Sequence, residues 1–126
     1  MSDDSVILRF PASTERVRLA RALVATLADE AGFDYDDVQD LRIAVDELCF
    51  MLLDSGAPVG MLELTARQQK GMLEVAGTCQ FDGIPHEAAD DPSTQLTRQI
   101  LATVIDEYEF RFEGTTGHFF LRKSKL

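Results

Sequence analysis

The stretch DLRIAVDELCFMLLDSG, residues 40–56, decides the fold prediction because its apolar residues recur at helical spacing. It predicts the second of two amphipathic helices, with Asp34 or Asp36 as its N-cap. Glu47 and Met51 lie four residues apart and therefore share one face of this helix. This pattern raises a question: what do a carboxylate and, one turn later, a thioether contact on the same face of the helix? The apolar stripe of the helix consists of Val38, Leu41, Val45, Leu48 and Leu52.

Towards the N-terminus, the pattern predicts a strand at residues 5–10 and then another helix. Pro11 ends the strand, since proline lacks the amide hydrogen that a continuing strand donates. Ser13 is a candidate N-cap for the helix, which runs to about Ala31, and Gly32 ends it. The apolar residues of this helix are Val17, Ala20, Val24, Leu27 and Ala31.

After residue 58 the hydrophobic period changes from that of a helix to the alternation of strands. Turn-forming residues interrupt the alternation, which predicts hairpins on either side of a loop and a third helix. The predicted elements are a hairpin over residues 62–75 with a turn at 69–71, a loop over 80–93, a helix over 94–105, a strand over 108–112, a turn over 114–117 and a last strand over 119–123.

The predicted order is strand, helix, helix, strand, strand, helix, strand, strand. Strands paired as hairpins and helices grouped together predict an α+β fold, a two-layer sandwich. Its mostly antiparallel or mixed sheet has about three helices on one face, and a doubly wound parallel sheet does not fit. With 126 residues, 45% of them hydrophobic, the chain is expected to form one domain over residues 1–126.

The charge balance bears on the choice of partner. Twelve Lys and Arg residues against 22 Asp and Glu residues give the chain a formal net charge of −10. This charge repels phosphate backbones and attracts basic protein surfaces, so direct nucleic-acid binding is not expected. No apolar run approaches the roughly 20 residues that a membrane-spanning helix needs, and the N-terminus does not resemble a signal peptide. The sequence therefore predicts a cytoplasmic protein without a membrane span.

A search for catalytic and metal-binding motifs returns little. Cys49 and Cys79 lack CxxC spacing, and His86 and His118 lie in separate contexts, so two reduced cysteines and no metal site are predicted. The sequence contains no GxGxxG, P-loop, HExxH or GxSxG motif. Local motifs alone therefore indicate no catalytic centre.

Four segments in order carry a resemblance to a known family: PASTERVRLARALVATLA, LRIAVDELC, the hairpin over residues 62–75, and ILATVIDEYEF with GTTGHFFLRK. Together they resemble the bacterial anti-sigma-factor serine kinases, which have the histidine-kinase-like ATPase (GHKL, Bergerat-type) fold. In that family the second helix carries a Glu that orients the attacking group or accepts its proton, and four residues later an Asn that holds Mg²⁺. Glu47 matches the Glu, whereas Met51 stands in place of the Asn.

The resemblance implies that the metal and adenine positions are altered. A thioether such as that of Met51 is a soft ligand, and Mg²⁺ prefers oxygen ligands in octahedral geometry. An ungapped alignment places Cys79 where the family has the Asp that accepts the adenine amino group. Asp82 and Gly83 take that place only if an insertion is allowed, so the ungapped alignment is favoured. No metal ligand is therefore expected at Met51.

The phosphate-binding element is altered as well. The Gly-rich turn of the family falls on residues 95–98, where side chains obstruct the close backbone approach that glycine permits. Arg98 could meet a phosphate as a point charge, although an ordinary surface arginine also explains it. The resemblance thus implies a degenerate ATP site with a vestigial Glu47 and weak cofactor contacts at Asp82, Gly83 and Arg98. Neither ATP nor Mg²⁺ is an expected cofactor.

The first helix of the resembled family holds the sigma factor, and an arginine inside it is part of that contact. Arg21 stands at the matching position, and Arg18, one turn earlier, shares its face. Paired arginines can bind carboxylates of a partner, but exposed charges of no special use also fit the pattern. Family members are commonly homodimers through the first strand and first helix. Residues 5–10 could supply such an edge, although an edge covered by its own domain fits equally well.

Three functions are compatible with this sequence. The leading hypothesis is an anti-sigma factor that sequesters an alternative sigma factor and is antagonised by a STAS-type anti-anti-sigma protein, as in partner switching during stress responses. The first alternative is an active ATP-dependent serine-protein kinase that phosphorylates the antagonist. The second is a protein-binding module unrelated to transcription. A retained scaffold beside altered nucleotide ligands favours the leading hypothesis.

Overall fold

The computed structural model of the chain describes residues 5–69, 71–86 and 92–125. The helices are α1 (Val17–Glu30), α2 (Tyr35–Leu53) and α3 (Pro92–Val104), and the strands are β1 (Ser5–Pro11), β2 (Pro58–Gln69), β3 (Met72–Phe81), β4 (Glu107–Glu113) and β5 (Thr116–Ser124). The strands form one antiparallel sheet in the order β1-β2-β3-β5-β4. This architecture and the order of its elements confirm the predicted α+β fold.

The core lies between the helices and one face of the sheet. Every residue of the stripe predicted for α1 is buried, and α2 contributes seven buried residues. In the strands buried residues alternate with more exposed ones, because successive side chains point to opposite faces. Leu64 of β2, Gly77 of β3 and Phe119 of β5 lie side by side on the covered face, and all three are buried. The predicted two-layer packing is therefore confirmed.

The start of α2 follows the predicted capping chemistry. The side chain of Asp34 accepts a hydrogen bond from the backbone N–H of Asp37, with 2.9 Å between nitrogen and oxygen, so Asp34 is the N-cap. Asp36 lies in the first turn, where its negative charge opposes the positive end of the helix dipole. Gly32 has a φ of 90°, which residues with a side chain rarely adopt, and it separates α1 from α2.

Three predicted boundaries differ from the structure. Ser13 precedes a short 3-10 turn at Thr14–Arg16, and its side chain makes no capping hydrogen bond. Pro11 belongs to β1, because an edge strand tolerates a residue without an amide hydrogen. The last turn is shorter than predicted, since Gly114 supplies a φ of 60° and β5 resumes at Thr116.

The connection between β3 and α3 also differs from the prediction. β3 continues to Phe81, so the loop expected from residue 80 begins later. Residues 87–91 of that loop lie outside the described part of the chain. α3 spans Pro92–Val104, where the sequence predicts a helix over 94–105.

The face of the sheet away from the helices is open and charged. Arg9 pairs with Glu63 across β1 and β2, and Arg122 contacts Glu74 and Glu107 across three neighbouring strands. Such exposed pairs contribute little stability each. As for membranes, none of the helices within the described ranges has both the length and the apolar character needed to cross a bilayer.

Candidate functional site

Glu47 and Met51 lie on the side of α2 that faces α3 and β4. Both side chains are half-buried. The hydroxyl of Thr97 on α3 donates a hydrogen bond to a carboxylate oxygen of Glu47, and the two oxygens are 3.2 Å apart. A residue of the helix that follows the loop therefore bonds the carboxylate of Glu47. Thr97 falls within the residue 95–98 segment that the sequence matches to a phosphate-binding turn.

Met51 faces a cavity instead of a hydrogen-bonding partner. The cavity has a volume of about 540 Å³ and lies between α2, α3 and the edge strand β4. Arg98 of α3 and three aromatic side chains of β4 share its lining with Met51: Tyr108, Phe110 and Phe112. In this arrangement Glu47 can hold a cation and Arg98 can meet an anion, but Met51 offers neither charge nor oxygen.

Cys79 lies in the core on the covered face of the sheet. It is opposite Leu62 of β2 and Gly117 of β5, and its side chain is buried. Desolvation by burial raises the pKa of its thiol to about 11. At neutral pH it is therefore an uncharged thiol, which cannot replace the carboxylate that accepts the adenine amino group in the resembled family.

An apolar cluster surrounds Gly117, next to Cys79. A β-carbon on Gly117 would lie 2.5 Å from Cδ1 of Leu52 and 3.0 Å from the ring of Phe81, so a larger residue there would require Leu52 to move. The rings of Phe81 and Phe112 pack edge to face with their centroids 6.5 Å apart. Side chains of the chain itself thus fill the space between the end of α2 and the sheet.

Asp82 and Gly83 lie in the exposed turn after β3. The backbone N–H of Asp82 donates to the carbonyl of Ala57 at 2.8 Å, which ties the turn to the start of β2. Gly83 has a φ of 93°. Neither residue lines the cavity beside Met51, so the structure groups Arg98 with Met51 but leaves Asp82 and Gly83 outside that cavity.

The two arginines predicted on α1 lie at its boundary with α2. Arg21 Nη1 is 2.8 Å from Asp46 Oδ1, and both side chains are about one third exposed. A shallow groove of about 450 Å³ brings Arg18 and Arg21 together with Arg42 of α2, and small residues form its floor: Ala22, Ala25 and Thr26. Three guanidinium groups therefore meet at one groove of an acidic chain.

Sequence reasoning missed Asp46 and Arg42 at this groove. Their positions on α2 are visible in the sequence, but the register between α1 and α2 is not. A glutamate at position 21 would face the carboxylate of Asp46, so reversing this charge would disturb the fold as well as any partner contact.

Comparison with known proteins agrees with this architecture. The fold is shared with a crystal structure of the RsbU and RsbW domains of a Mycobacterium tuberculosis protein, with a TM-score of 0.72 over 95% of this chain and 32% of that chain. The sequence identity is 14%, so this likeness concerns the fold alone. No protein-family profile matches the chain.

Similarity in sequence says more about the class of protein than similarity in fold. A stretch of 77 residues, 60% of this chain, is 35% identical to the anti-sigma-F factor RsbW of Mycobacterium tuberculosis and covers 46% of that protein. Another of 62 residues, 49% of this chain, is 31% identical to the serine-protein kinase RsbW of Bacillus cereus and covers 39% of it. The matches span less than half of these relatives. The chain is therefore similar, over part of its length, to RsbW anti-sigma factors and serine-protein kinases, and it shares the fold of an RsbW domain.

The burial of both cysteines makes a prediction about thiol chemistry. Burial raises the pKa of Cys79 to about 11 and that of Cys49 further, so the reactive thiolate is scarce at pH 8. Iodoacetamide should alkylate Cys79 in the folded chain about a hundredfold more slowly than in urea, and Cys49 more slowly still. Mass spectrometry of the wild type and of Cys79→Ser assigns each rate. Equal rates in the folded and unfolded chain would contradict the buried positions.

Proposed function

We propose that the chain is an anti-sigma factor that binds and sequesters an alternative sigma factor in the cytoplasm. A STAS-type anti-anti-sigma protein would antagonise it by competing with the sigma factor for binding to this chain. The relationship to the anti-sigma-F factor RsbW of Mycobacterium tuberculosis supports this function. The observation that carries it is the hydrogen bond from Thr97 to Glu47. Glu47 matches the catalytic Glu of the resembled family, and here a residue of α3 is bonded to it.

A degenerate nucleotide site is part of this proposal. Phosphoryl transfer depends on positioning and on charge compensation by a metal ion. Three features argue against substrate positioning and against metal binding at this site. They are the thioether of Met51 at the metal-binding position, the buried thiol of Cys79 at the adenine-binding position, and the packing of α3 against Glu47. Neither ATP nor Mg²⁺ is then a cofactor, and the retained fold serves to bind proteins.

The surface proposed for the partner is the groove between α1 and α2. The groove is lined by Arg18, Arg21 and Arg42. It therefore concentrates positive charge on the surface of a chain whose net charge is −10. Arginine binds carboxylates in bidentate geometry, which favours an acidic segment of a partner at this groove. The pair with Asp46 holds the guanidinium of Arg21 in place while its other N–H groups stay available.

A second candidate function is an active serine-protein kinase that phosphorylates the anti-anti-sigma antagonist. Glu47 is half-buried and retains the carboxylate that the family uses in the reaction. A curated relative from Bacillus cereus is a serine-protein kinase RsbW. This candidate requires Thr97 to release Glu47 and a metal ligand to replace Met51.

Substitution of the groove arginines tests partner binding. The partner is first captured with the wild-type chain and must be identified as a sigma factor by mass spectrometry. Arg18→Ala and Arg42→Ala should each weaken its binding about tenfold, because each removes a charged contact. Arg67→Ala, on the open face of the sheet, is the matched control and should bind normally. Surface plasmon resonance measures the affinities, and equal affinities of all variants would exclude the groove.

Calorimetry with ATP separates the two candidate functions. The wild-type chain should show no magnesium-dependent ATP binding in the micromolar range, and Met51→Asn should not restore it, since Cys79 and α3 remain in place. The serine-protein kinase RsbW of Bacillus cereus is the positive control. Micromolar binding of ATP by the wild type, with phosphate transfer to a serine of the antagonist, would establish the kinase instead.

A further inference from the structure

Strand β4 ends the sheet on the side opposite β1. Within the described part of the chain its ladder partner is β5 alone, so every second residue of β4 presents its backbone N–H and C=O groups at an outer edge. Edge strands are usually kept from pairing by proline, lysine or a bulge. β4 reads EYEFRFE, without proline or lysine, and its register with β5 is regular from Glu107 to Glu113. This edge can therefore accept one more strand.

A cavity continues along this edge. It has a volume of about 540 Å³, and five consecutive residues of β4, from Tyr108 to Phe112, line it. Successive residues of a strand point to opposite faces, so all five contact one cavity only where it reaches the outer edge. Met51 of α2 and Arg98 of α3 line the same cavity from the side of the helices. A strand added to β4 would thus lie against both its backbone edge and this cavity.

The helix-facing side of β4 is apolar and incompletely covered. Tyr108, Phe110 and Phe112 pack against the core, but all three side chains stay half-buried. Directly opposite side chains of an antiparallel pair interact, so an apolar side chain opposite each of them would remove more of these rings from water. This side of β4 therefore favours a strand with apolar residues at alternate positions.

The charges on the open face of β4 select the sign of the partner. This face carries three glutamates and one arginine, and Arg111 already contacts Glu109 and Glu113. Opposite charges directly across an antiparallel pair are favourable and like charges are unfavourable. A second copy of β4 paired about Phe110 would set Glu107 against Glu113 twice, so a basic strand fits this edge better than a second copy does.

We propose that an extended segment of a partner protein, with apolar and basic residues in alternation, adds to β4 as a sixth, antiparallel strand. Its backbone bonds the edge groups of β4, its apolar residues enter the cavity beside Met51, and its basic residues face the glutamates. This inference rests on the proposed function in one respect, since the cavity has to be free of nucleotide. β1 offers no such match, because Arg9 is its only charged residue and Pro11 has no amide hydrogen.

A synthetic peptide tests the strand addition with the full-length chain. The peptide KVEVKVK, read antiparallel to β4, places Lys opposite each glutamate, Glu opposite Arg111 and Val opposite each aromatic residue. Fluorescence polarisation at about 0.15 M salt, which screens long-range attraction, should show saturable binding. The peptide KVKVKVE has the same composition but sets like charges opposite each other at two positions, so it should bind about tenfold more weakly.

Hydrogen exchange followed by NMR distinguishes strand addition from side-chain docking. KVEVKVK should slow exchange at alternate amides of β4, because an added strand bonds only the N–H groups that point outwards.

A charge exchange between protein and peptide tests the register. Glu109→Lys should weaken the binding of KVEVKVK about fivefold, and the peptide KVEVEVK, with Glu at the fifth position, should restore it. Glu63→Lys is the matched control, since it makes the same change on β2, which is paired on both edges, and it should leave the affinity unchanged. Circular dichroism confirms that each variant is folded, which matters because Glu109 contacts Arg111.

The outcomes separate this inference from the proposed function. An absence of saturable binding, equal affinities for KVEVKVK and KVKVKVE, or binding without slowed exchange in β4 would each overturn the inference, while calorimetry with ATP tests the nucleotide site independently. Displacement of bound KVEVKVK by ATP and Mg²⁺ would support the position of the peptide in the cavity and contradict the degenerate nucleotide site.

Discussion

The hydroxyl of Thr97 lies 3.2 Å from a carboxylate oxygen of Glu47, and this contact joins α3 to α2 beside the buried Leu101. A half-buried carboxylate needs a hydrogen-bond donor, because its desolvation is costly when it is left unpaired. In a nucleotide-binding domain, a metal ion, a water molecule or the substrate would supply that interaction. Here a side chain of the same molecule supplies it. Together with the burial of Leu101 and Val104, this contact positions α3 beside the cavity next to Met51.

The consequences differ on the two sides of α2. On the side of α3 and β4, the cavity beside Met51 is lined by aromatic and charged side chains, and the core next to Cys79 is filled by Leu52, Phe81 and Phe112. On the side of α1, the ion pair between Arg21 and Asp46 joins the two helices at a groove lined by guanidinium groups. One helix therefore separates an open cavity lined by aromatic and charged side chains from a groove lined by guanidinium groups. This separation underlies the proposal that the chain acts by binding proteins.

Much of the fold could be predicted from local patterns. Apolar spacing predicts both long helices and alternation predicts the hairpins. The short side chains of Asp34 and Asp36 make both candidate caps, and the structure selects Asp34. The contacts between elements could not be predicted in this way. Thr97 meets Glu47 and Arg21 meets Asp46 only because of how the helices pack against each other, and the spacing within one helix carries no information about its register with another.

A crystal structure of the chain grown with a non-hydrolysable ATP analogue and MgCl₂ would show whether this site admits a nucleotide. We expect that Thr97 still bonds Glu47, that no cation is ordered beside that carboxylate and that the cavity next to Met51 contains no nucleotide. An ordered magnesium ion on Glu47 with the phosphates of the analogue beside Arg98 would contradict this expectation.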